Sequence, residues 1–289
     1  MKLGLIGTGL MGAPLAKKIL DAGYELNVYN RTKTKVLEIE KYGGKVYSEI
    51  NQLIKESDAI ILILSNYDAI YETLFDSGVN EFDSKIIIQM STIAPNESIE
   101  LHNKILKLRG EYFEAPVLGS IPQIVNGELI VLVGSEIEQF EKWKKLFASF
   151  SNNILHVGEV GKAAAMKLAL NQLIISETVA FSMSLGFVRE NELDVNQFMD
   201  ILRNSALYAS TFDKKLDNML NRDFSNPNFP LKHLLKDLDL MLGSFGEKNI
   251  NTSSLKGARK VLVEAIEKGF SDQDYSALYN GIHRFKDET

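Results

Sequence analysis

The chain has 289 residues, with 38 acidic against 32 basic side chains, a net charge of −6 and no cysteine. That balance argues against the basic face a nucleic-acid surface needs, and the missing thiol excludes disulfides, thiol catalysis and thiolate metal sites. With 45% hydrophobic and 24% charged residues, the length accommodates two ordinary globular domains. The first apolar stretch lacks a basic n-region and a small-residue cleavage site, so no signal peptide is expected and a cytoplasmic location is the default.

Lys2–Ile6 reads as a short apolar strand running into Gly7-Thr8-Gly9-Leu10-Met11-Gly12; a helical pattern follows from Ala13 to Ala22, with Gly23 as its stop. Between a strand and a helix, G-x-G-x-x-G has a physical meaning. Gly7 permits the tight turn, Gly9 lets the backbone approach a pyrophosphate, and Gly12 lets helix and strand pack closely, with the helix N-terminus facing the phosphates. A dinucleotide site at Gly7, Gly9, Leu10, Met11 and Gly12 is therefore expected, against the alternative of a purely structural glycine turn. The second strand, Glu25–Tyr29, ends at Asn30-Arg31-Thr32, where an NAD-binding unit often places an acid for the ribose 2′-hydroxyl. No acid stands there. Arg31 offers a fork of donors suited to a 2′-phosphate, with Asn30 and Thr32 as neutral neighbours, which favours NADP over NAD. The plainer reading is a surface arginine in the turn before a helix over Lys33–Tyr42.

Strands and helices go on alternating, which implies a mainly parallel sheet. Ala59–Leu64 is a continuous apolar run, as a strand covered on both faces should be, and it ends at Ser65-Asn66. Leu64 and Ser65 thus stand at a strand end, where ligands sit in this architecture. Lys85–Met90 is the next strand, ending in Ser91-Thr92-Ile93-Ala94-Pro95 before a helix to Leu108. Tyr112-Phe113 leads into Glu114-Ala115-Pro116-Val117-Leu118-Gly119-Ser120. Leu129–Val133, a helix whose Lys142, Lys144 and Lys145 form a solvated face with Glu138 and Glu141, and a last strand at Ile154–Val157 complete this half. Small or polar residues at three strand ends, near Ser65, Thr92 and Leu118, fit a ligand-binding rim as well as ordinary turn chemistry.

From Ala163 to Leu185 there is no Gly or Pro, and the stretch is apolar nearly all round, as in a helix buried inside a domain or between subunits. Lys167, Asn171, Gln172 and Glu177 interrupt it too often for a membrane span. Lys167 and Asn171 lie four apart and point the same way, one turn apart. A lysine whose stem packs while its head reaches water is the plain account. Helices then read over Asp194–Arg203, Thr211–Leu220, Leu231–Glu247 and Ser254–Lys268. The expected organisation is a dinucleotide-binding domain at 1–160 and an all-helical domain at 161–289, with the long helix as the hinge. In FPLKHLLKD, Lys232, Lys236 and Asp239 read as a solvated face, with Lys236 and Asp237 too close in sequence to face each other on a helix. His233 reads as surface or packing, and no His, Asp and Glu cluster has metal-site spacing.

Four motifs in order resemble the β-hydroxyacid dehydrogenases over essentially the whole chain: GLIGTGLMG at the start, STIAP at Ser91–Pro95, EAPVLGS at Glu114–Ser120, and the glycine-led MKLALN segment ending at Asn171. Asn30-Arg31-Thr32, Ser120, FPLKHLLKD and GFSDQDYSAL look closest to the glyoxylate and succinic semialdehyde reductase branch. The resemblance implies an α/β Rossmann domain followed by a helical domain, assembled as homodimers or homotetramers through the helical part. It also implies Lys167 as the catalytic lysine and Asn171 as its companion. Thr92 and Lys236 would contact the cofactor near the nicotinamide, Phe229 and Asp237 would line the substrate pocket, and Gly119 and Ser120 would meet the substrate carboxylate.

The activity this implies is NADPH-dependent reduction of a small carboxylate-bearing aldehyde, with Lys167 as proton donor and neither nucleic acid nor membrane as partner. One rival is an NAD-dependent dehydrogenase of the 3-hydroxyisobutyrate or tartronate semialdehyde type. Another is a cofactor-binding protein without catalysis, against which retention of both Lys167 and Asn171 argues. Two departures bear on the substrate. Leu118 stands where the family usually has Ser, and Gly161-Lys162-Ala163 replaces the usual Gly-Asn-Gly. Both fall beside the expected substrate position, so the reaction type carries over better than the substrate identity.

Overall fold

The apolar runs of the first half pair into one nine-stranded, mainly parallel sheet in a computed structural model that describes residues 1–283. Its strands are β1 (Lys2–Ile6), β2 (Glu25–Tyr29), β3 (Lys45–Val46), β4 (Ala59–Leu62), β5 (Ile86–Gln89), β6 (Glu111–Glu114), β7 (Val117–Leu118), β8 (Ile130–Gly134) and β9 (Asn153–Gly158). The intervening helices are α1 (Gly12–Asp21), α2 (Leu37–Lys41), α3 (Ile50–Lys55), α4 (Tyr67–Tyr71), α5 (Pro95–Lys107), α6 (Ile121–Asn126) and α7 (Ile137–Phe147). Strand order runs β3-β2-β1-β4-β5-β6-β8-β7, with β9 also paired to β8. All pairs from β3 to β6 are parallel; β8 joins antiparallel to β6 through the single pair Glu114 and Gly134.

β4 and β5 are buried at every residue because both faces are covered. Leu5, Val28, Ile61, Ile88 and Phe113 pack on Leu15 and Ile19 of α1 in one core layer. Ile60, Leu62, Ile87 and Tyr112 pack on Leu53, Leu101 and Ile105 in the other. The strand expected to reach Leu64 stops at Leu62, and the Leu64 N–H turns instead to the Ser91 hydroxyl at 2.8 Å. The helix expected over Lys33–Tyr42 opens as a 3₁₀ turn at Lys33–Val36 before α2.

The chain divides into two compact units at Leu168, inside helix α8 (Lys162–Glu190). With 29 residues, α8 is about 43 Å long at ~1.5 Å per residue. It passes through Gly186 rather than stopping at Leu185. A methyl group on Gly186 would lie 3.2 Å from the His283 side chain, so this glycine makes room for close packing and is not a helix stop. By length and composition α8 could cross a membrane. Instead Phe181 and Leu185 pack in a protein core with Met199, Phe212, Met219 and Phe224, and Phe181 stacks on Phe212 at 4.7 Å. The second unit continues with α9 (Val195–Arg203), α10 (Ser210–Asn221), α11 (Leu231–Gly246), α12 (Ser253–Ala265) and α13 (Tyr279–Ile282). Buried Asp274 is its main polar fastener. Its carboxylate receives Lys215 Nζ of α10 at 2.8 and 2.9 Å, the N–H and hydroxyl of Ser276, and the Asn228 N–H. Beside it the Tyr275 N–H bonds to Phe229 O and the Leu231 N–H to Gln273 O, which fixes the start of α11.

Candidate active site

The glycine turn between β1 and α1 is built as its spacing requires. Gly7 has φ +101°, and a Cβ there would lie 2.1 Å from Ile63 O; a Cβ on Gly12 would lie 2.0 Å from Gly7 O. At Gly9 nothing lies within 4 Å of the place a Cβ would take, so the backbone is open to a close-fitting anion ahead of the α1 N-terminus. The Thr8 hydroxyl is buried with no hydrogen-bond partner among the described residues. This open turn, with its orphan hydroxyl, fits a dinucleotide pyrophosphate. Leu10 and Met11 complete the turn, with Leu10 exposed and Met11 partly so. Asn30 has a structural part here: its Oδ1 accepts the Thr8 N–H at 3.1 Å, and its amide donates to Thr32 O. Arg31 and Thr32 are exposed beyond the end of β2.

Leu64, Ser65 and Thr92 follow β4 and β5, adjacent parallel strands. The Leu64–Ser91 hydrogen bond ties those two ends together, and Asn66 Oδ1 caps α4 by accepting the Ala69 N–H at 3.0 Å. Leu118 pairs with Ile130 in the β7–β8 ladder. Gly119 has φ +133°, and Ser120 opens α6. Both Ser120 donors, the N–H and the hydroxyl, lie 2.9 Å from Gln123 Oε1.

Glu114, at the head of the same motif, was passed over by the sequence reasoning. It is 0% exposed, and its carboxylate accepts three backbone N–H bonds from the start of α8. Burial pushes its pKa up from the ordinary carboxylate value, opposed by the hydroxyl of Ser98 and those N–H groups. One signal could have found it. Gly161 precedes α8 with no side chain to cap the helix, so a remote acceptor was needed.

Lys167 and Asn171 sit one turn apart on α8, with side chains 7% and 2% exposed residue by residue. The Asn171 amide donates to Asp237 Oδ2 at 2.7 Å. A carboxylate only accepts, so this bond fixes which end of the amide is nitrogen. Asn171 Oδ1 is left buried with no hydrogen-bond partner among the described residues. Lys236 Nζ lies 2.7 Å from Asp237 Oδ1. This corrects the sequence expectation that adjacent residues on α11 could not meet: the long lysine stem curls back over its own turn to the neighbouring carboxylate. Asp237, 2% exposed, therefore joins Asn171 to Lys236. Phe229 is half-buried just before α11, its ring 6.0 Å from that of Tyr275. His233 is partly buried and its pKa is lowered, first by burial and then by Lys236 and Lys232. No group of three His, Asp or Glu suited to a metal occurs among the described residues.

Comparison with known proteins bears on the family and the fold. Residues 2–158 match the NAD binding domain of 6-phosphogluconate dehydrogenase, and residues 161–282 match the NAD-binding domain of NADP-dependent 3-hydroxyisobutyrate dehydrogenase. The chain is 30% identical over 285 residues to glyoxylate/succinic semialdehyde reductase 1 of Arabidopsis thaliana, covering 98% of each protein. It is 29% identical over 286 residues to 2-hydroxy-3-oxopropionate reductase of Escherichia coli, covering 98% of this chain and 97% of that one. Among solved structures, 3-hydroxyisobutyrate dehydrogenase from Salmonella typhimurium superposes with a TM-score of 0.86 at 18% identity, covering 97% of this chain and 99% of that one, which speaks to the fold. With both halves matched in order and relatives aligned end to end, the chain belongs to the β-hydroxyacid dehydrogenase family of NAD(P)-dependent oxidoreductases.

Proposed function

We propose that this protein reduces a small carboxylate-bearing aldehyde, of the glyoxylate or succinic semialdehyde type, to the hydroxyacid with NADPH. The observation that carries the reading is the buried Lys167 and Asn171 pair on one helix, with Asn171 oriented by Asp237. When bound, the nicotinamide supplies hydride to the carbonyl carbon. Lys167 stabilises the charge developing on the carbonyl oxygen and donates a proton to it. Asn171 Oδ1, buried and without a hydrogen-bond partner among the described residues, is the acceptor that orients the ammonium or the substrate hydroxyl. The turn from Gly7 through Gly9, Leu10 and Met11 to Gly12 holds the pyrophosphate. Arg31, flanked by Asn30 and Thr32, takes the 2′-phosphate, and no acid stands there to prefer a 2′-hydroxyl. Leu64, Ser65 and Thr92 of the first unit are assigned to the nicotinamide end, and the resemblance assigns Lys236 of the second unit to the same cofactor.

The resemblance assigns Leu118, Gly119 and Ser120 of the first unit to the substrate, whose carboxylate would compete with Gln123 Oε1 for the two Ser120 donors, and it assigns Phe229 and Asp237 of the second unit to the same role. Similarity to the Arabidopsis reductase supports this substrate class. Similarity to the E. coli relative supports a second reading, a tartronate semialdehyde-type substrate. The exposed Met183 and Phe187 on α8 support assembly as a homodimer or homotetramer.

The test is oxidation of NADPH and of NADH against glyoxylate, succinic semialdehyde, tartronate semialdehyde and methylmalonate semialdehyde. Turnover of glyoxylate or succinic semialdehyde with NADPH is expected. Preference for NADH rejects the cofactor assignment, and no turnover of any aldehyde rejects the reaction.

A further inference from the structure

We propose that Glu114 is a positioning residue for Lys167: from the end of β6 its carboxylate holds the first turn of α8 and so fixes where the lysine stands. The inference rests on the reading of Lys167 as proton donor.

A helix leaves its first N–H groups without partners in its own ladder. The usual remedy is a Ser, Thr, Asp or Asn at the residue before the helix, whose side chain reaches the N–H two or three positions on. In α8 that residue is Gly161, held at φ +93°, a left-handed backbone conformation that strains any residue with a side chain. Local capping is closed off. Glu114 supplies the acceptor from 47 to 50 residues away: Oε2 takes the Gly161 N–H at 2.9 Å and the Ala163 N–H at 3.2 Å, and Oε1 takes the Ala164 N–H at 3.1 Å. One carboxylate thus performs both halves of a capping box, the bond to the cap residue and the bond to the third helical residue. Its negative charge also faces the positive end of a 29-residue helix.

The sheet is shaped around this group. A Cβ on Gly134, the residue that pairs with Glu114 across the β6–β8 contact, would fall 2.0 Å from Glu114 Oε2. Only glycine leaves the carboxylate its place. Lys167 follows the capped Ala163 by four residues and therefore stands one turn above it on the same face. Glu114 also heads the Glu114–Ser120 segment assigned above to the substrate. The same carboxylate ties that segment to the helix of the proton donor, so a shift of α8 against β6 moves one relative to the other.

The test uses the full chain with NADPH and its best aldehyde. Glu114→Gln keeps the size but turns an amide NH₂ toward helix N–H groups. Its kcat is expected to fall about 10- to 100-fold, the scale of a small misplacement of a reacting group, with the Kd for NADPH within about twofold of wild type. Glu114→Asp, which keeps the charge, is expected to recover most of that loss. The decisive comparison is the double variant. Lys167→Ala is expected to lose about two to four decades of turnover. Adding Glu114→Gln to it should cost less than about a further twofold, because no lysine remains to be misplaced. A merely structural cap would slow Lys167→Ala by the full factor again, and that result overturns the proposal. So does a folded Glu114→Gln whose kcat stays within about twofold of wild type. Should Glu114→Gln lose its cooperative melting transition, Glu114→Asp carries the same comparison, alone and with Lys167→Ala. Near-wild-type turnover in Lys167→Ala defeats the proton-donor reading itself; loss there with no effect from Glu114 substitution rejects the positioning role alone.

Discussion

Asp237→Asn exchanges one carboxylate oxygen for an amide nitrogen, and the two partners of Asp237 make that exchange costly. Asn171 presents its NH₂ to Oδ2 at 2.7 Å, and Lys236 presents its ammonium to Oδ1 at 2.7 Å. Asn171 hydrogen-bonds Oδ2, while Lys236 stands as an ion pair beside Oδ1, an oxygen with no hydrogen bond of its own among the described residues. The new amide has one acceptor and one donor end. If its oxygen faces Asn171, its NH₂ confronts the Lys236 ammonium. If it turns round, the Asn171 amide must flip, and a donor then replaces the buried acceptor that Asn171 Oδ1 now provides. Either way the Asn171 bond loses its charged acceptor and Lys236 its counter-charge, and the hydrogen bond to a charged group alone is worth about 1.5–3 kcal/mol, or roughly tenfold to over a hundredfold. The assay is NADPH oxidation with kcat and both Michaelis constants resolved, alongside thermal melting. The expected result is a kcat lowered about 10- to 100-fold, with a melting temperature a few degrees below wild type. The alternative for Asp237, a side chain that only touches substrate, predicts a raised aldehyde Michaelis constant with melting unchanged. A kcat within about twofold of wild type would falsify the argument that Asp237 sets the Asn171 amide.

Arg31→Ala removes the donor fork assigned to the 2′-phosphate, and should raise the Michaelis constant for NADPH about tenfold or more while leaving NADH nearly untouched; equal effects on both cofactors would place Arg31 elsewhere. Leu118→Ser restores a hydroxyl in the Glu114–Ser120 segment, and specificity for glyoxylate or succinic semialdehyde should improve about tenfold over an uncharged aldehyde of similar size. An unchanged ratio would remove Leu118 from the substrate site. Lys215→Met leaves the Asp274 carboxylate buried without its cation, and urea unfolding should show a loss of about 3–5 kcal/mol; a loss below about 1 kcal/mol would mean that the pair behaves like an exposed one.

The central strands were legible from sequence because β1, β4 and β5 are short apolar runs between turns, and the helical second half because no period-two run breaks its pattern; β3 and β7, two residues each, are too short to carry a pattern and were not read. The glycine turn was legible because each glycine answers a separate steric demand, seen again in the close approaches at Gly7 and Gly12 and the open space at Gly9. What could not be read were contacts made by reach or by distance along the chain. Asn30 was taken as a neighbour of the cofactor, and spacing gave no hint that its amide braces the Thr8 N–H from 22 residues away. Glu114 meets N–H groups 47 to 50 residues downstream, and nothing local marks it. The Lys236–Asp237 pair was set aside by a rule about Cβ directions, which the length of a lysine side chain defeats. Gly186 gave no sign in the sequence of its packing against His283, a residue 97 positions further on.

The Lys215–Asp274 pair also sets a timetable for a nascent chain. Asp274 leaves the ribosome 59 residues after Lys215, about 3–12 s later at ~5–20 residues per second. During that interval the lysine stays in water, where an unpaired ammonium costs nothing. α10 must wait for its fastener, as must the start of α11, which Tyr275 and Gln273 hold through backbone bonds beside the same aspartate. All nine strands of the sheet, by contrast, have been made by Gly158, long before Asp274 is added. A ribosome that stops short of Asp274 therefore releases a finished sheet attached to helices that never lock, a product that proteases can distinguish from the complete protein by its opening alone.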